Sequence, residues 1–143
     1  MNKIILALCL LLAISAIQCE YVPQWVACDS HLGWQTYKVA LDAPPVAGQN
    51  STVTFCGRNG LVELKAQNIY ISAENVIDQS FDESGVVIAF GADYCFNMNV
   101  TIPQGVPKNL LVKITFNGIV IPNLGCAVFN LPFDNSKFLG YSF

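Results

Sequence analysis

The chain has 143 residues, of which only 12% are charged and 53% hydrophobic, and its formal net charge is −3. No basic cluster is present, which excludes a nucleic-acid surface and leaves little attraction for anionic membranes. So low a charge means that much apolar surface must be hidden, in a packed core or in an internal ligand cavity.

The first element is a targeting segment. Lys3 makes a short positive region, and the stretch from Ile4 to Ile17 is apolar apart from Ser15. That length fits a secretory signal and is too short to span a bilayer. Residues 1–19 are therefore expected to be a signal peptide, and residues 20–143 one mature domain. Loss of Lys3 moves the net charge from −3 to −4. No later stretch is apolar and long enough to cross a membrane, and residues 134–143 carry no lipid-anchor or retention signal. The expected product is soluble, and lumenal or extracellular.

Strands and turns then alternate. Gln35 to Leu41 alternates as a half-buried strand and stops at Ala43-Pro44-Pro45. Gly48-Gln49-Asn50 is a turn, and Ser51 to Cys56 is rich in β-branched residues. Arg58-Asn59-Gly60 signals another turn, after which Leu61 to Ala66 alternates and Asn68 to Ser72 continues past an irregularity. Ser72 to Ser84 reads as polar and irregular, whereas Val86 to Phe90 reads as a buried strand broken at Gly91-Ala92-Asp93. Asn97 to Ile102 is short and extended. Leu110 to Phe116 is the clearest strand, with Leu110, Val112, Ile114 and Phe116 on one face. Asn117-Gly118 is expected to turn the chain into Ile119-Val120-Ile121, and Gly125 to Leu131 forms the last strand. Turns at about ten-residue spacing between short β-rich runs are the signature of a sandwich or barrel.

Cys9 and Cys19 fall in the leader, and Cys28, Cys56, Cys95 and Cys126 remain. An even count on an oxidising route reads as two disulfides, and the sequence alone leaves all three pairings open. There is no Cys-x-x-Cys pair or Cys/His knuckle, so neither a metal site nor a cofactor is expected.

Residues suited to catalysis are few. His31 is the only histidine and lacks the partners that a nucleophilic site needs, so a solvated or structural role is expected. Asp78, Asp82 and Glu83 cluster in a polar stretch with nothing to split their pKa values, and they lack the spacing of a calcium loop. An enzyme is not expected. Two sequons, Asn50-Ser51-Thr52 and Asn99-Val100-Thr101, make Asn50 and Asn99 candidate glycan sites. Asn50 is the stronger because it follows a turn.

One block has a recognisable pattern. It runs Trp25-x-x-Cys28, then Val39-x-Leu41-x-x-Pro44-Pro45-x-x-Gly48-Gln49-Asn50-x-Thr52-Val53-x-x-x-Gly57. Cys95, Ile102-Pro103 to Pro107, and Gly125-Cys126 continue it. Over about Trp25 to Phe133 the chain resembles the ML (MD-2-related lipid-recognition) family, which includes Niemann-Pick C2-type sterol carriers and phosphatidylglycerol/phosphatidylinositol transfer proteins. It departs from the common pattern at Cys95-Phe96, where many members have Cys-Pro, and at Lys108-Asn109-Leu110, where many have Gly-x-Tyr.

The resemblance implies an all-β, immunoglobulin-like sandwich of two antiparallel sheets with an apolar cavity between them. It implies pairing of Cys28 with Cys126 and of Cys56 with Cys95. It also implies a monomeric carrier of a phospholipid or sterol, secreted or in the endolysosomal lumen, in transient contact with membranes or a membrane acceptor protein. The alternative is an MD-2-like co-receptor that binds lipid without transferring it. Period-two alternation nominates Phe55, Ile71, Ile88, Phe90, Phe96, Val112, Ile114, Phe116 and Val128 as walls of the lipid cavity.

Overall fold

The computed structural model describes residues 20–28 and 33–133. Residues 1–19, where a signal peptide is expected, His31 and residues 134–143 lie outside the described residues. Among the described residues, nine strands follow in order: β1 (Trp25–Ala27), β2 (Trp34–Leu41), β3 (Asn50–Asn59), β4 (Glu63–Ala73), β5 (Ile77–Asp82), β6 (Val87–Ala89), β7 (Asp93–Thr101), β8 (Asn109–Gly118) and β9 (Gly125–Pro132). They form two antiparallel sheets. One runs β1-β9-β8-β4-β5, with β6 also paired to β4, and the other runs β2-β3-β7. This is the expected sandwich.

Alternation decides which side chains meet between the sheets. On β8, Leu110, Val112, Ile114 and Phe116 are buried while Lys113 is exposed. On β3, Val53 and Phe55 face inward, and on β7 so do Phe96, Met98 and Val100. The irregularity expected after Ala66 is a register shift between Ala66 and Asn68 where β4 meets β8.

Several boundaries differ from the sequence reading. The stretch from Ser72 to Ser84, read as irregular, contains β5, paired with β4 from Ala73↔Ile77 to Asn68↔Asp82. The hairpin turn that makes this possible puts both Glu74 and Asn75 at positive φ, 41° and 64°. That is a primed turn, but Glu74 stands where Asn or Gly would have signalled it. The Asn117-Gly118 pair does not reverse the chain, because β8 runs through Gly118 and the loop continues to Leu124. The left-handed residue of that loop is Asn123, at φ 54°. Asn50 is the first residue of β3 and not part of the preceding turn.

The centre of the molecule is Trp34, which is completely buried. Its ring lies 5.0 Å from Phe116 of the larger sheet, edge on, and 6.0 and 6.1 Å from Phe55 and Phe96 of its own sheet. Such ring pairs add about 0.5–1.5 kcal/mol beyond the area they bury. A Cβ on Gly57 would come within 2.3 Å of this indole, and one on Gly125 within 2.4 Å. Both glycines are therefore required by close approach. The indole Nε1 donates to Thr36 Oγ1 at 3.1 Å, so the buried donor is paired.

Among the described residues, two disulfides are formed, each joining neighbouring strands within one sheet. Cys28 at the end of β1 is bonded to Cys126 on β9, and Cys56 on β3 to its register partner Cys95 on β7. This is the pairing that the resemblance implied.

Two tests follow from this core. Trp34→Ala should lower unfolding free energy by about 3–5 kcal/mol, and Gly57→Ala should cost about 1–3 kcal/mol through overpacking, both read from urea titrations. Replacing Cys28 and Cys126 with serine opens a closure of 98 residues. That should cost about 2–5 kcal/mol, and non-reducing peptide mapping of the wild type should recover Cys28 joined to Cys126.

Candidate functional site

Seven of the nine residues nominated as cavity walls are buried between the sheets. Phe55 and Phe96 come from the smaller sheet, and Ile71, Ile88, Val112, Ile114 and Phe116 from the larger. Register brings them together: Phe55 pairs with Phe96, and Ile71 with Ile114. Phe96 and Phe116 meet across the sheets at 4.9 Å.

Phe90 and Val128 do not join them. Phe90 is 69% exposed. The strand carrying Ile88 stops at Ala89, and the chain turns at Gly91 with φ 75°, so the alternation that would carry Phe90 inward is broken. Val128 has the wrong phase. Gly125 must face the Trp34 ring, which turns Ala127, Phe129 and Leu131 inward and Cys126 and Val128 outward. Val128 instead lines an open groove of about 650 Å³ on the outer face of the larger sheet, with Pro23, Trp25, Val26 and Leu111.

Sequence reasoning missed Trp34, Ile69, Met98 and Phe129 as members of this interior. Ile69 was readable as the alternation partner of Ile71. Phe129 was readable only once the phase of β9 was known.

At one end of the sandwich, the β3–β4 connection and the β8–β9 loop frame a half-open cavity of about 250 Å³. Its apolar walls are Leu61, Leu64, Val120, Ile121 and Leu124, and the exposed Glu63 and Lys65 are its charged groups. Leu64 and Leu124 are almost wholly buried and belong to the core. Leu124 is seated by its amide, which donates to the Phe116 carbonyl at 2.8 Å. The absent side chain of Gly118 leaves it room, since a Cβ there would lie 2.6 Å from Leu124 Cδ1.

The rest of the loop is held by polar contacts. The Ile119 amide donates to the Lys65 carbonyl at 3.0 Å, and the Asn123 amide to Asn117 Oδ1 at 2.9 Å. With its backbone tied down, the loop presents Ile119, Val120 and Ile121 to solvent, and Val120 is 86% exposed. Val62, between the lining residues Leu61 and Glu63, is 84% exposed. The cavity mouth is thus ringed by unburied hydrocarbon.

The acidic cluster has no catalytic geometry. Asp78 and Asp82 are four residues apart on β5, about 13 Å along an extended strand. Asp78 accepts from the Tyr70 hydroxyl and Asp82 from the Ser84 amide. The Ser84 hydroxyl first, and its amide second, hold the Asp82 carboxyl below its ordinary range. Burial, reinforced by the charge of Asp82, raises Glu83. Among the described residues no three His, Cys, Asp or Glu side chains are grouped to hold a metal.

No protein-family model matches the chain, and no curated protein matches it in sequence. Among solved structures, it is similar to a Niemann-Pick type C2 protein from the Japanese carpenter ant. The TM-score is 0.59, over 78% of this chain and 99% of the other. The fold is of the Niemann-Pick C2 kind. Identity is 11%, so the likeness resides in the arrangement of the strands and not in shared residues.

The mouth and the floor of the cavity should respond differently to substitution. Val120→Asp should change unfolding free energy by no more than about 0.5 kcal/mol, because the site is solvated. Leu124→Ala should cost about 2–5 kcal/mol. Urea midpoints of the two variants check the contrast.

Proposed function

We propose that this protein binds a sterol or a phospholipid acyl chain between its sheets, admitting it through the end framed by residues 61–65 and 118–124. The observation that carries this reading is the half-open cavity floored by the core residues Leu64 and Leu124 and ringed by exposed aliphatic side chains, on a fold of the Niemann-Pick C2 kind. No catalyst is needed. Hydrocarbon leaves water at about 25 cal/mol per Å². A sterol or one acyl chain hides several hundred Å², a gross gain on the order of ten kcal/mol before ordering costs.

The cavity of about 250 Å³ is smaller than the roughly 300–1,000 Å³ of drug-sized ligand sites. Binding therefore requires Leu64 and Leu124 to give way, and beyond them the rings of Trp34, Phe55, Phe96 and Phe116. The energy of separating that packing is subtracted from the gain. The exposed Val62, Ile119, Val120 and Ile121 are the surface that would touch a donor or acceptor membrane, where their hydrocarbon is no longer wet.

The same patch favours a second reading. A lipid-binding co-receptor would bury these side chains against a protein partner and would not exchange its lipid between membranes.

The test combines a ligand census with a variant. Mass spectrometry of lipids extracted from natively secreted protein should find a bound sterol or phospholipid. A fluorescent sterol or a fluorescent acyl-chain phospholipid should bind saturably, and the ligand at 100 times its Kd should add about 2.7 kcal/mol of stability. The double variant Val62→Asp with Ile119→Asp, at exposed positions outside the cavity lining, should keep binding in solution and lose transfer between vesicles. An empty extract together with no saturable binding would overturn the proposal. Binding without any transfer by the wild type would favour the co-receptor.

A further inference from the structure

The outer face of the smaller sheet is as polar as the mouth is apolar. Its β3–β7 register places five cross-strand pairs in a row: Arg58 with Asp93, Cys56 with Cys95, Thr54 with Asn97, Thr52 with Asn99, and Asn50 with Thr101. The first is an ion pair at 2.9 Å, in which the guanidinium holds the Asp93 carboxyl below its usual range. The second is the disulfide, and in the third the Thr54 hydroxyl donates to Asn97 Oδ1 at 2.8 Å.

The last two pairs are the two sequons, interlocked. The threonine of each faces the asparagine of the other, while their middle residues, Ser51 and Val100, point into the protein. Asn50 and Asn99 are both exposed on the same face. As diagonal neighbours in an antiparallel pair they stand about 7–8 Å apart. They also lie far from the cavity mouth. Asn50 begins β3, whose other end leads into Leu61, about 30 Å away along the strand.

Asn99 has a further property. β3 is the only strand neighbour of β7 among the described residues. The Gln79 side chain of the other sheet accepts from the Thr101 amide at 3.2 Å and donates to the Thr101 carbonyl at 2.8 Å, as a neighbouring strand would. Both backbone groups of Thr101 therefore point away from β3. By the period of two, those of Asn99 and Asn97 do so as well. Gln79 closes the edge at Thr101, and upstream of it no strand among the described residues pairs with the edge, which leaves it available to another chain.

We propose that Asn50 and Asn99 both carry N-linked glycans, and that the two together cover this face and the open β7 edge, leaving the apolar mouth clear. The inference rests on passage through the secretory pathway and is independent of any lipid. In the transfer, the asparagine Nδ2 bonds to the anomeric carbon of an oligosaccharide carried on a lipid diphosphate. The bond from that carbon to the diphosphate oxygen breaks, the electron pair leaves with the lipid diphosphate, and the amide gives up one proton. In the folded sheet both sequons are held in the ladder, so transfer precedes β3–β7 pairing.

The full chain should be expressed in eukaryotic secretory cells and treated with an endoglycosidase, with mobility read in both lysate and medium so that a secretion defect does not obscure occupancy. The wild type should move by two glycan steps, and Asn50→Gln and Asn99→Gln by one each. Thr52→Val and Thr101→Val, which keep the β-branched shape, should each also remove one step. A wild-type protein that moves by one step, or not at all, overturns the proposal. Folded wild-type protein trimmed to single sugars should self-associate with rising concentration in sedimentation velocity, whereas the untrimmed protein stays monomeric. Trimmed protein that remains monomeric overturns the covering of the edge.

Discussion

The structure depends on one indole ring. Trp34 enters the interior from the first strand of the smaller sheet and reaches the larger one, where a glycine on β9 and a phenylalanine on β8 receive it. A side chain this large fits between the sheets only because Gly57 and Gly125 have none. Once Gly125 faces the ring, the phase of β9 is determined, and so is the division between the buried Phe129 and the outward Val128. Leu124, one residue earlier, is then directed to the end of the core, where it floors the cavity.

The disulfides among the described residues leave the interface between the sheets untouched. One disulfide staples β1 to β9 and the other β3 to β7, so each reinforces a sheet and neither bridges the two. Across the gap the sheets are held chiefly by apolar packing, with the amide of Gln79 reaching from β5 to β7. Such packing is non-directional and scales with area, so hydrocarbon from a ligand can replace hydrocarbon from the opposite sheet. Stiff sheets with a separable seam reconcile a filled interior with the lipid binding proposed above.

Polarity is distributed with the same division. Exposed aliphatic side chains are gathered where the β3–β4 and β8–β9 connections meet, and hydroxyls, amides and an ion pair line the outer face of β3 and β7. One end of the molecule is fit to leave water, and the far end of the smaller sheet is fit to remain in it.

The sequence by itself determined the class of fold, most strands, the inward face of β8 and the set of cysteines available to pair. These follow from local rules: alternation with period two, β-branched content and turn residues, each readable within a few positions. It did not reveal β5, because a turn with Glu74 at positive φ carries no local signal. It misplaced Phe90 and Val128, because alternation predicts a face only while the strand lasts and only once its phase is known. Both conditions are set from outside the segment, by the break at Gly91 and by the ring of Trp34 against Gly125. The interlocking of the two sequons is likewise invisible in a chain that separates Asn50 from Asn99 by 49 positions. Only the register of β3 against β7 sets them side by side, because which strands become neighbours is decided by packing over the whole domain.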